Sequence, residues 1–210
     1  MAERRRLGVP LKKYRSVSST NDFLKAKAER GAAEGFAVLA RRQKKGRGRQ
    51  GRTWLSPAGE GVYLSVLLRP GIPAFEANWL GVVGALAVAG ALDRAGVGDV
   101  TLKWPNDVLA RGRKIAGILV EPRIHDQSVE FAVLGIGINM AQDSSAWPDE
   151  LKDTATSCRL EGVTTSNDAM TSLVLDELNR IYFDFREGRR QPLLLEWSRR
   201  TGTSAMPVLE

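Results

Sequence analysis

The sequence has one cysteine, one histidine and, between positions 41 and 52, no acidic residue at all. Each scarcity excludes something. A lone Cys158 permits no disulfide framework, no Cys-x-x-Cys redox pair and no thiolate zinc site, and it suits a reducing cytoplasm. The lone His125 falls in a predicted hairpin turn and is read as a surface residue rather than a catalytic base. No segment near Met1 joins a basic region to an apolar stretch and a cleavage site, so no targeting peptide is expected. The apolar run over residues 75–95 is broken by glycines, and Glu76 and Asp93 bracket only 16 residues. That is short for a membrane span, and a helix buried against a sheet is expected instead. With 210 residues, 43% of them apolar, the chain can bury one core of generous size.

What is present in excess is positive charge. The chain carries 31 Lys and Arg against 24 Asp and Glu, a net charge of +7. Seven basic residues (Arg41, Arg42, Lys44, Lys45, Arg47, Arg49 and Arg52) lie in one glycine-rich window, and the remainder balances at 24 against 24. An excess confined to a dozen residues points to an anion held at one place rather than to a uniformly basic surface.

Residues 19–22 (Ser-Thr-Asn-Asp) supply helix-capping side chains before Phe23, and Gly31 is placed to end that helix. Strands are expected over 36–40, 61–68, 100–104, 114–121 and 129–138, the last two joined as a hairpin across residues 125–128. Helices are expected over 75–95, from Ser166 or Asn167 to Arg186, and over 192–200. Strands bunched in the middle with helices before and after give an α+β class with a mixed or antiparallel sheet.

Four motifs carry chemistry, and each has a plainer reading beside it. Gly46-Arg47-Gly48-Arg49-Gln50-Gly51 matches Gly-x-Gly-x-x-Gly in form. Trp54 and Pro57 follow instead of a helix, so a dinucleotide fingerprint is excluded. What remains is close backbone approach plus guanidinium forks for phosphate or carboxylate, or else a solvated basic loop. Lys103-Trp104-Pro105-Asn106-Asp107 is good turn chemistry that also presents Asn106 and Asp107 at a strand end. Lys114 heads a strand in which Gly117 stands among Ile, Leu and Val; alone, it reads as an exposed strand-end lysine. Gly135 and Gly137, two residues apart, strip side chains from one sheet face and leave a slot in which something flat can lie against backbone. Trp54, Trp104 and Trp147 could line a pocket, but a tryptophan at a strand end is more often simple core.

Taken together, Ser19-Thr20-Asn21, Gln43, residues 46–54 (GRGRQGRTW), 103–107 (KWPND), 113–121 (RKIAGILVE) and 135–139 (GIGIN) resemble, in order and spacing, the catalytic domain of biotin protein ligases. The resemblance covers residues 14 to about 200. It implies a mixed, largely antiparallel β-sheet backed by helices, a fold related to class II aminoacyl-tRNA synthetases. It also implies a two-step activity: biotin and ATP give biotinyl-5′-AMP, and biotin then passes to a lysine of a biotin carboxyl carrier protein. On that resemblance Ser19, Thr20, Asn21, Gln43, Gly46, Trp54, Lys114, Gly117, Ile118, Gly135 and Gly137 bind biotin. Arg47, Arg49, Arg52, Trp54, Asn106, Lys114 and Asn139 hold the nucleotide, and Lys114, Arg47 and Arg49 are the catalytic set. Mg²⁺ is expected to travel with ATP on its phosphates, with no protein metal site.

The resemblance also sets limits. Only 18 residues precede Ser19, so no DNA-binding domain and no DNA partner are expected. The ligase domain is read as residues 1–205, with 206–210 as the start of a C-terminal SH3-like barrel. No membrane partner is expected, and a homodimer is compatible with the family. The rivals are a lipoate or octanoate ligase of the same fold, a basic nucleic-acid-binding module, and a biotin-binding remnant with weak transfer.

Overall fold

The computed structural model describes residues 6–202. The expected barrel start at 206–210 lies outside the described residues. Seven strands form one sheet: β1 (Leu11–Tyr14), β2 (Ala37–Ala40), β3 (Gly61–Leu68), β4 (Val100–Lys103), β5 (Asp107–Ala110), β6 (Arg113–His125) and β7 (Ser128–Asn139). Their order is β1-β2-β3-β7-β6-β5-β4, and only β1 and β2 run parallel. The class expected from the sequence is the one found, with β1 and β4 as the edges.

Four helices cover the sheet: α1 (Thr20–Ala28), α2 (Trp79–Arg94), α3 (Asn167–Arg186) and α4 (Arg190–Thr201). The Ser19 hydroxyl accepts from the Asp22 amide to start α1, and the Ser166 hydroxyl accepts from the Ala169 amide to start α3. These contacts satisfy amides that a helix leaves unpaired at its first turn. Helix α2 is buried nearly all round. The segment Ala74–Arg94 is long and apolar enough to cross a membrane by composition, but most of it is buried inside the protein. A short 3-10 turn, Ala74–Glu76, takes the first residues expected of this helix.

Alternation along β3 and β7 sorts the two faces. Val62, Leu64, Val66, Leu134, Ile136 and Ile138 join α2 and α3 in the main core. Leu67, Phe131 and Val133 pack with Leu24 and Ala28 of α1 on the other face. Continuing the period of two along β7, the face that carries Phe131 and Val133 next carries Gly135 and Gly137. The sheet thus runs from filled to bare beneath the N-terminus of α1, and that transition places the site.

The β6–β7 hairpin turns at Asp126 and Gln127, both at positive φ, as tight two-residue turns require. His125 sits exposed at its tip. Two strands were not expected. β1 has no alternation to betray it, and β5 begins at Asp107, inside what reads as a simple turn.

Candidate active site

One cavity of about 690 Å³ opens on the α1 face of the sheet. Its floor is the glycine-bare stretch of β6 and β7. A Cβ on Gly135 would stand 2.3 Å from Asn21 Oδ1, and one on Gly137 would stand 2.5 Å from Trp54 Cε2. On Gly117, paired across from Gly137, it would stand 3.0 Å from Trp54 Cζ3. The flat occupant that the glycine spacing calls for is therefore in part the indole of Trp54. Its Nε1 is buried and without a partner among the described residues.

The polar end of the cavity is built where α1 starts. Gln43 Oε1 accepts the Thr20 backbone N–H at 2.9 Å, and Gln43 Nε2 donates to Ser56 Oγ at 3.0 Å. Asn21 lines the cavity, but its side chain is already engaged. Its amide nitrogen donates to Glu121 Oε2 at 2.8 Å and its Oδ1 lies 2.6 Å from the Ser65 hydroxyl, so the side chain is spent on protein groups. Gly46 departs from its expected contact role. It is buried under the loop, where a Cβ would meet the Trp54 carbonyl at 2.4 Å, and it does not line the cavity. The Ile118 side chain turns to the other face, against Gly84 of α2, and only its backbone can reach the site. The period of two that aims Gly117 at the cavity sends Ile118 away from it.

The loop arginines divide. Arg47 Nη2 lies 2.6 Å from Asp22 Oδ1 and 3.0 Å from Glu121 Oε2. Two carboxylates hold the guanidinium that was expected to hold phosphate, and they tie the loop to α1 and β6. All three loop arginines line the cavity and are exposed, but Arg49 and Arg52 have no ion-pair partner among the described residues. They remain available to an anion.

Lys114 supplies the cation at the far end. Its Nζ stands 2.6 Å from Asp107 Oδ1 and 5.5 Å from the centre of the Trp54 ring. Its backbone is clamped: the N–H donates to Thr154 O at 2.7 Å and the carbonyl accepts from Thr156 N at 2.9 Å. Asn139, which also lines the cavity, reinforces the clamp, donating to Thr156 O at 2.9 Å and to Lys114 O at 3.4 Å. Asn106 lines the cavity while its side chain donates to Ile118 O at 3.2 Å.

Residues 14–139 match the Biotin/lipoate A/B protein ligase family. The chain belongs to that family. It is 37% identical over 181 residues to a biotin–[acetyl-CoA-carboxylase] ligase of Mycobacterium tuberculosis, covering 83% of this chain and 65% of that one. It is 36% identical over 182 residues to a bifunctional ligase/repressor of Bacillus subtilis, covering 86% and 56%. The chain thus spans between half and two thirds of these relatives' lengths. Among solved structures it resembles the biotin protein ligase of Aquifex aeolicus in complex with biotin and ATP, with a TM-score of 0.78 and 34% identity over 91% of this chain and 78% of that chain.

Within the family frame, the cavity continues past Lys114 to residues the sequence reading passed over. Leu109, Leu151, Asp153, Thr154 and Ala155 line this end with Trp104 and Trp147. Trp147 is buried with its Nε1 unpartnered among the described residues. The sequence reading named Trp147 as a pocket-wall candidate but leaned to simple core, and it is both buried and part of the cavity lining. Ser65 and Glu121 were passed over as well. Among the described residues no three His, Cys, Asp or Glu side chains stand together as a metal site would need.

Proposed function

We propose that the protein activates biotin with ATP to biotinyl-5′-AMP and transfers the acyl group to a lysine of a biotin carboxyl carrier protein. The observation that carries this is the joining, in one cavity, of a neutral polar end (Thr20, Gln43) to a cationic end (Lys114, Arg49, Arg52) along a glycine-floored slot. A bicyclic head group fits the first and a carboxylate meeting a triphosphate fits the second. The names of the Mycobacterium tuberculosis relative and the Aquifex aeolicus complex support the same chemistry.

In the first step a biotin carboxylate oxygen attacks the α-phosphorus of ATP and pyrophosphate leaves. Two anions must approach, so a fixed positive charge between them lowers the barrier most. Lys114 suits that role: it is clamped through its backbone, and its ammonium pairs with one carboxylate, the partly buried Asp107, which an incoming anion can replace. Arg49 and Arg52 close over the phosphates. In the second step the acceptor amine gives up a proton and attacks the acyl carbon, and AMP leaves. Trp54 shields the anhydride from water on the slot side. Mg²⁺ would neutralise ATP's phosphates. The carboxylates Asp107 and Asp153 at the cavity form no cage for a resident ion, so no step is assigned to one.

A lipoate ligase is disfavoured by the polar end, since a dithiolane has no groups to match Thr20 and Gln43. The testing experiment incubates the protein with biotin, Mg²⁺ and ATP labelled at the α-phosphate. Labelled biotinyl-adenylate is the expected product. Biotin binding without adenylate would mark a remnant, and no biotin binding would reject the proposal.

A further inference from the structure

Ser65 is a hydroxyl in the middle of an apolar strand, wholly buried, opposite Gly135. It does not line the cavity. Its Oγ lies 2.6 Å from Asn21 Oδ1 and 2.7 Å from Thr20 Oγ1, and Thr20 Oγ1 lies 3.0 Å from Gln43 Oε1. Four oxygens stand in a row with three contacts between them, and only two hydroxyl protons are available to fill those contacts.

Both ends of the row have fixed polarity. Asn21 points its amide nitrogen at the Glu121 carboxylate and the Leu119 carbonyl, which only accept, so its oxygen must face Ser65. Gln43 uses Oε1 to accept the Thr20 N–H and Nε2 to donate to Ser56, whose own hydroxyl donates to the Trp54 carbonyl. The two terminal oxygens are therefore pure acceptors. An oxygen–oxygen contact without a proton costs most where it is shortest and most buried. The single Ser65 proton cannot fill both of its contacts: given to Asn21 at 2.6 Å, it leaves the 2.7 Å contact to be filled by the Thr20 proton, at the expense of the 3.0 Å contact with Gln43. The 3.0 Å contact is left with lone pairs on both sides. Both of its oxygens belong to residues that line the cavity.

We propose that Ser65 is a specificity-determining positioning residue. By accepting the Thr20 hydroxyl proton it turns Thr20 Oγ1 and Gln43 Oε1 into an adjacent pair of acceptors. The pair selects ligand head groups that bring N–H donors, as a cyclic urea does and a dithiolane cannot. The selection rests on a buried side chain that never meets the ligand. It builds on the biotin reading and adds how that head group is distinguished.

Ser65→Ala removes the sink for the Thr20 proton, which then turns to Gln43 and fills the lone pair meant for the ligand. Dissociation constants for biotin, desthiobiotin (same urea) and lipoate (no urea, measured as a competitor) are to be compared in the wild-type and Ser65→Ala proteins, with kcat for adenylation at saturating biotin. The two ureas are expected to lose about 10- to 100-fold in affinity, lipoate to be unchanged, and kcat to stay within about twofold. Unchanged biotin affinity would overturn the inference. So would equal losses for biotin and lipoate, because a merely loosened pocket weakens both. A wild-type protein that binds no biotin would overturn the functional reading and this inference with it, an outcome separable from the others.

Discussion

The Lys114 ammonium is held by the Asp107 carboxylate at 2.6 Å, across the hairpin of β5 and β6. The carboxylate parks the cation where a substrate acid can displace it. Lys114→Ala should therefore slow adenylate formation by about 100-fold or more, the usual loss for a preorganised charge at a reacting centre. Biotin affinity should fall only a few-fold. Single-turnover adenylation beside equilibrium binding checks this, and equal losses would reduce Lys114 to a binding group.

Arg47 and Arg49 should separate in kinetic tests. Glu121→Gln weakens a partly exposed pair with Arg47 and should speed adenylate release by about 2- to 5-fold, the scale of such pairs, with KM for ATP unmoved. Arg49→Gly should speed release and also raise KM for ATP. Following labelled adenylate lost on dilution, together with ATP saturation curves, distinguishes a latch from a phosphate ligand. If Glu121→Gln raises KM for ATP as Arg49→Gly does, the division fails.

Gly137→Ala should cost at least tenfold in biotin affinity, because its methyl would stand 2.5 Å from Trp54 Cε2 and push the indole across the slot. Gly81→Ala on α2 is the control. Nothing lies within 4 Å of its added Cβ, and replacing a helical glycine there should stabilise the fold by up to about 1 kcal/mol. Thermal unfolding and biotin titration of both variants check the pair.

Burial, aided by the Glu161 charge, pushes the Cys158 thiol up to about 12 from 9.0. The folded protein keeps the thiol protonated where the unfolded chain would ionise. The resulting stability is fully present below about pH 9 and declines as pH rises toward 12. Alkylation at pH 8 should track global unfolding, and Cys158→Ala should flatten the alkaline fall in stability. Rapid alkylation of the native protein would contradict this.

Much of this arrangement was legible in the sequence, and the gaps have physical causes. The β6–β7 hairpin and α3 declare themselves by turn residues and a helical apolar stripe. β1 is four residues with charged Lys12 and Lys13 between two half-buried ends, so no periodicity marks it. β5 hides behind turn chemistry that is genuine up to Asn106. The glycine face of the slot follows from spacing alone. The pairing of Arg47 does not, because Asp22 and Glu121 come to it from distant segments of the chain, and an arginine between glycines looks free until the fold brings carboxylates alongside. Ser65 left a sign that went unread, a lone hydroxyl in an otherwise apolar run.

β7 passes beneath both halves of the cavity. A strand advances about 3.3 Å per residue, so Gly135 under Asn21 and Gly137 under Trp54 lie roughly 7 Å apart by main-chain geometry alone. Side chains at the polar end can therefore be exchanged without moving the point at which an acid group meets Lys114. On the proposed function, head-group choice and acid activation become separately adjustable, and the same slot can be retuned toward a different carboxylic acid by altering one end of it.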